Sequence, residues 1–131
     1  MNLKLRLTGL SFLQFFVWGI WLISLGGYMF VNFKDPNMGS YVGNTYGTMG
    51  WASLLMPALM GILADKYIRA EIVLGLCHLV AGAGLYYAST VTTAADMYWA
   101  IMFVSCFYMP TIALSNSVSY SLLSKSNLDI Q

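Results

Sequence analysis

Four long runs of this chain contain no Asp, Glu, Lys or Arg: residues 7–33, 36–64, 72–95 and 97–124. A bilayer's hydrocarbon core, about 30 Å thick, is crossed by roughly 20 residues of apolar helix, and each run is at least that long. Charged residues make up 8% of the chain and hydrophobic ones 59%, whereas a soluble domain needs about a quarter charged residues to hydrate its surface. Spanning strands would show segments of about ten residues with strict polar–apolar alternation, which these runs lack. The sequence therefore predicts an all-α membrane protein, one membrane domain over 1–131, with four transmembrane helices near 8–32, 42–64, 71–91 and 97–122.

The charges that remain sit between the runs. Asp65, Lys66, Arg69 and Glu71 lie within seven positions, in a turn too short to let helices 2 and 3 be anything but antiparallel neighbours. With the N-terminus in the cytoplasm, Lys4, Arg6, Lys66, Arg69 and Lys125 fall inside and only Lys34 outside, as the positive-inside rule expects. Both ends are then expected to be cytoplasmic. The first apolar run is longer than a signal-peptide core and lacks a small-x-small cleavage site, so it is expected to stay as helix 1. Six basic residues spread thinly make no nucleic-acid surface. Cys77 and Cys106 fall inside spans, far from any CxxC spacing, which favours packing over disulfide or metal roles.

Within the spans, polarity is uneven. Helix 1 carries Ser11, Gln14, Trp18, Trp21, Leu25 and Tyr28 at successive spacings of 3, 4, 3, 4 and 3, one helical face. Lipid gives Gln14 no hydrogen-bond partner, so this stripe should face other helices or a water-filled cavity. The plainer alternative makes Trp18 and Trp21 packing or interfacial anchors. Residues 32–43 and 89–96 read as outside loops, with Tyr98 and Trp99 at aromatic-belt level. In helix 2, Gly43-x-x-x-Gly47 could admit a close neighbour and Pro57 should disturb the helix. Helix 3 is mostly apolar, its lone His78 being more often a packing residue than a proton relay. In helix 4, Ser105, Tyr108, Ser115 and Ser119 share a face, flanked by Thr111 and Asn116, and Met109-Pro110 marks an expected kink. Helices 1 and 4 should line any polar path.

No P-loop, HExxH, GxSxG or paired carboxylate occurs, and the spans contain no Asp or Glu, so the chain is not expected to be an enzyme and needs no cofactor. Small four-span proton-coupled exporters would require a Glu in helix 1, where only Gln14 and serines stand. A competing class is a non-transporting four-helix membrane subunit; haem ligation would need more than the one His78.

The stretch Gly61, Leu63, Ala64, Asp65, Lys66 and Arg69 resembles the loop 2–3 signature of the major facilitator superfamily, with Ile68 in place of the usual Gly and Ala70 where a second basic residue is usual. The whole chain resembles the amino-terminal part of the bacterial nucleoside:proton symporters of that superfamily. The similarity runs through Leu10-Ser11-Phe12-Leu13-Gln14-Phe15, Trp18-Gly19, Tyr28-Met29-Phe30-Val31, Met56-Pro57-Ala58-Leu59, Cys77-His78 and Tyr108-Met109-Pro110-Thr111. The resemblance implies helices 1–4 of a twelve-helix fold, in the bacterial inner membrane. It further implies a piece whose partners are nucleosides, protons, membrane lipid and the remainder of a transporter chain. Gly61, Asp65, Lys66 and Arg69 would form the gating motif. Gln14, Trp18, Trp21, Tyr108 and Asn116 are the substrate-cavity candidates. The family's main coupling residues are expected beyond Gln131.

Overall fold

A computed structural model describes residues 2–126 and consists there of four helices: α1 (Leu3–Asn32), α2 (Met38–Lys66), α3 (Ala70–Ala88) and α4 (Ala94–Lys125). All four are long and apolar enough to cross a membrane. The chain is a multi-pass membrane protein.

The helices exist where the apolar runs predict them, but their ends differ. α1 begins at Leu3 and α4 reaches Lys125, because charged residues leave the hydrocarbon without breaking a helix. The first loop closes early, where the Asp35 carboxylate accepts from the Asn37 amide at 2.8 Å and α2 starts at Met38. Such an Asx turn supplies a local route out of the loop. α3 stops at Ala88 rather than 91, as the Ser89 and Thr90 hydroxyls donate to the Tyr86 and Tyr87 carbonyls, each at 2.7 Å. α4 starts at Ala94 rather than 97, since the Thr93 hydroxyl accepts from the Asp96 amide at 3.1 Å and donates to its carboxylate at 2.7 Å. That reciprocal pairing is an N-cap.

α4 is the central helix. α2 and α3 each pack along it, meeting one another only briefly, and α1 leans on α4 and α2 over a shorter stretch. Met29, Met49, Ala52, Ala81, Met97, Ile101 and Val104 form one buried cluster; Val73, Leu74, Cys77, Leu114 and Val118 form a second towards the end bearing both termini. Ile23, Leu54, Leu79 and Tyr86 point outward on their helices. In lipid that exposure carries no penalty, and helix association rests on close packing and interhelical hydrogen bonds.

Gly84 shows the packing at its closest, since a Cβ there would lie 2.8 Å from Val104 Cγ2 and 3.1 Å from Phe103 Cδ1. The expectation for Gly43 and Gly47 does not hold among the described residues, for a Cβ at either meets nothing within 4 Å. Pro57 and Pro110 both lie inside continuous helices. Each removes one rung of the backbone ladder without ending its helix.

Candidate functional site

The polar faces of α1 and α4 meet. Gln14 is buried within the bundle, and its Nε2 donates to Thr111 Oγ1 at 2.8 Å. Thr111 donates its hydroxyl hydrogen to the Tyr108 carbonyl at 2.6 Å, and Tyr108 donates its own to the Gln14 main-chain carbonyl at 2.6 Å. The two helices are thus joined by a short loop of hydrogen bonds inside the membrane-spanning segments, where lipid offers a polar group no partner. The Tyr108 ring sits between Trp21 and His78, edge-on to both, at centroid distances of 5.8 and 5.9 Å. His78 Nδ1 lies 2.9 Å from the Leu74 carbonyl of its own helix. That contact suits a packing histidine.

Among the described residues, three buried polar atoms on α1 have no partner: Gln14 Oε1, Trp18 Nε1 and Trp21 Nε1. All three belong to the stripe read from the spacing. Ser11 and Tyr28, the ends of that stripe, are exposed. Of the five cavity candidates, the structure gathers Gln14, Trp18, Trp21 and Tyr108 on the α1–α4 seam, while Asn116 stands apart. Asn116 lines an open cleft of about 820 Å³ with Thr8, Ser11, Phe15 and Ser119, between the terminal ends of α1 and α4.

Thr111 proves to connect the two helices together with Tyr108. Its position flanking the Ser105–Ser119 face marked it as polar, but spacing carried no information about which helix it would meet. Tyr46 was not singled out by any pattern. Its hydroxyl donates to the Leu22 carbonyl at 2.7 Å and accepts from the Gly26 amide at 3.1 Å. Leu22 and Gly26 are themselves one rung of α1, so the phenol lies across the helix ladder. Glycine permits this approach, since a Cβ at position 26 would be 3.3 Å from that oxygen.

The charged turn lies at the end bearing both termini. Asp65, Lys66 and Arg69 are exposed and Gly61 is half-buried. Arg69 Nε is 3.5 Å from Glu71 Oε2, a surface pair of small energetic weight. Among the described residues Asp65 makes no side-chain hydrogen bond or ion pair.

The family described as "Nucleoside H+ symporter" matches residues 1–131. The chain is 47% identical to the xanthosine permease of Escherichia coli (strain K12), over 98% of this chain and 30% of that protein. It is 46% identical to the nucleoside permease NupG of the same organism, over 99% of this chain and 31% of the relative. A crystal structure of nucleoside transporter NupG superposes with a TM-score of 0.91 at 46% identity, covering 99% of this chain and 32% of that one. The four helices reproduce that part of the major facilitator fold. The chain spans slightly under a third of the length of these relatives. With its whole length matched and its fold shared, the chain belongs to the nucleoside H+ symporter family.

Proposed function

We propose that the chain works as part of a longer transporter that takes up nucleosides by proton symport across the bacterial inner membrane. The observation that carries this reading is the agreement of fold and sequence across the whole chain, a TM-score of 0.91 at 46% identity to a nucleoside transporter. The chain's own contribution is one wall of the transport path. α1 and α4 present the polar seam and the cleft, while α3 and the outer face of α2 meet lipid. In alternating access, two halves rock about a site near the midplane. Gln14, Trp18 and Trp21 then face substrate, Tyr108 holds the α1–α4 seam in register, and Asn116 lines the approach. The loop Gly61 to Arg69 acts as the gate, Asp65 engaging donors on another part of the fold and Lys66 and Arg69 adding charge pairs that break on opening. Both termini lie in the cytoplasm, supported by Lys4, Arg6, Lys66, Arg69 and Lys125 at one end of the bundle and Lys34 at the other.

The test is a chimera in which these 131 residues replace the matching segment of nucleoside permease NupG, expressed in cells lacking nucleoside uptake. Uridine uptake well above vector is expected from the chimera, and none from the 131 residues alone. A chimera that reaches the membrane and takes up nothing contradicts the reading.

A further inference from the structure

Resting on the assignment of α3 to the lipid side of the transporter, we propose that the α3–α4 pair binds one phospholipid with a primary-amine headgroup. Its ammonium sits on Asp96 and one acyl chain lies in the cleft between the helices. That cleft has a volume of about 530 Å³ and runs between residues 80–87 of α3 and 96–103 of α4. Buried Gly84 and Ala100 form its floor, and exposed Tyr87, Trp99 and Phe103 its rim. Each wall is two turns of helix, about 10 Å long. Tyr87 and Asp96 stand beside the loop that joins the helices, at the end of the bundle opposite both termini, and Phe103 lies deepest along α4. The cleft therefore has a polar mouth at headgroup level and an apolar length that fits within one leaflet, about 15 Å of hydrocarbon. Those are the dimensions of an amphiphile's upper half.

Charge selects the headgroup. Asp96 is the only charged residue between positions 72 and 124. Among the described residues the one ion pair is Arg69 with Glu71, so no cation of the chain neutralises Asp96. Its Oδ2 accepts from the Thr93 hydroxyl at 2.7 Å, and its Oδ1 accepts from no group among the described residues. The mouth of the cleft thus offers an anion with a free acceptor, and its complement is a cation that carries N–H. A primary ammonium has both, with three hydrogens to donate. A glycerol headgroup brings only the negative phosphate, and a choline brings charge without an N–H. Phosphatidylethanolamine joins the required ammonium to the required acyl chain.

The experiment places the photoreactive residue p-benzoylphenylalanine in the chimera, at Phe103 in the cleft or at Leu79 on the outward face of α3. The protein is reconstituted in vesicles of equal parts phosphatidylethanolamine and phosphatidylglycerol and irradiated, and the attached lipid is identified by mass. The ratio of ethanolamine to glycerol lipid captured at Phe103 is expected to exceed that at Leu79 about threefold. Asp96→Asn keeps an acceptor for the Thr93 hydroxyl and removes the charge, and it is expected to bring the two ratios together. Phosphatidylcholine in place of the ethanolamine lipid is expected to show no excess at Phe103. Equal ratios at the two positions overturn the site, and so does an excess that survives Asp96→Asn or appears equally with choline. Attachment of Phe103 to a later part of the transporter chain also overturns it, since a helix then fills the cleft. Attachment of Leu79 to protein refutes the lipid-facing assignment of α3 itself, and this site with it, while uridine uptake by the chimera reports separately on the nucleoside reading.

Discussion

At the scale of single residues, the Gln14–Thr111–Tyr108 loop ranks substitutions that look alike on paper. Tyr108→Phe removes a hydroxyl from a main-chain carbonyl that already serves its own helix, so the loss is expected to be below about 1.5 kcal/mol. Thr111→Val strands the buried Gln14 amide and is expected to cost about 1–3 kcal/mol. Thermal unfolding in detergent checks this order; a larger loss for Tyr108→Phe would contradict it. Asp65→Asn, in the chimera, is expected to impair uptake severalfold while leaving the amount in the membrane unchanged. Unaltered uptake would remove the gate. The stripe on α1 was legible because Gln14 and the tryptophans recur at helical spacing. Its partner Thr111 was not, since a spacing fixes a face but not the neighbour opposite it. Tyr46 left no trace in the pattern because its contact is with the backbone of α1, and the one sequence feature that admits it, Gly26, does not reveal which side chain arrives there.

Among the elements, the α3–α4 contact at Gly84 is the tightest. Gly84→Val is expected to destabilise the bundle by about 1–3 kcal/mol through overpacking against Val104 and Phe103, whereas Gly43→Ala and Gly47→Ala, facing open space, are expected to be tolerated. Recovery of stability in the pair Gly84→Val with Val104→Ala, measured by the same unfolding assay, would identify the clash as the cause. If Gly84→Val alone unfolds no earlier than the unsubstituted protein, the close packing is wrong. Which segments are helices could be read from the charge-free runs; where they end could not. Hydrophobicity reports the thickness of lipid, while a helix ends where side chains such as Asp35, Ser89 or Thr93 satisfy its terminal amides and carbonyls. The GxxxG pattern misled for a related reason, because small residues permit close approach without requiring a neighbour.

In the molecule as a whole, polarity is unevenly distributed over a fold shared with the nucleoside H+ symporter family. The apolar α3 and the outer faces are proposed to meet lipid, and the α1–α4 seam, where buried Gln14, Trp18 and Trp21 carry polar atoms without a partner among the described residues, is proposed to line the transport path. Charge placement is the ground for the proposed orientation, and cysteines introduced near Lys34 and near Lys66 test it. A membrane-impermeant thiol reagent added outside intact cells is expected to label the first and spare the second. Labelling of the second alone would invert the topology. Proton-driven nucleoside movement by a longer transporter containing this chain, as proposed, is tested most directly in proteoliposomes of the chimera with an imposed pH gradient. Acid outside is expected to drive uridine inside above its external concentration, and a protonophore to abolish the excess. Equilibration to the external concentration with or without the gradient would contradict symport.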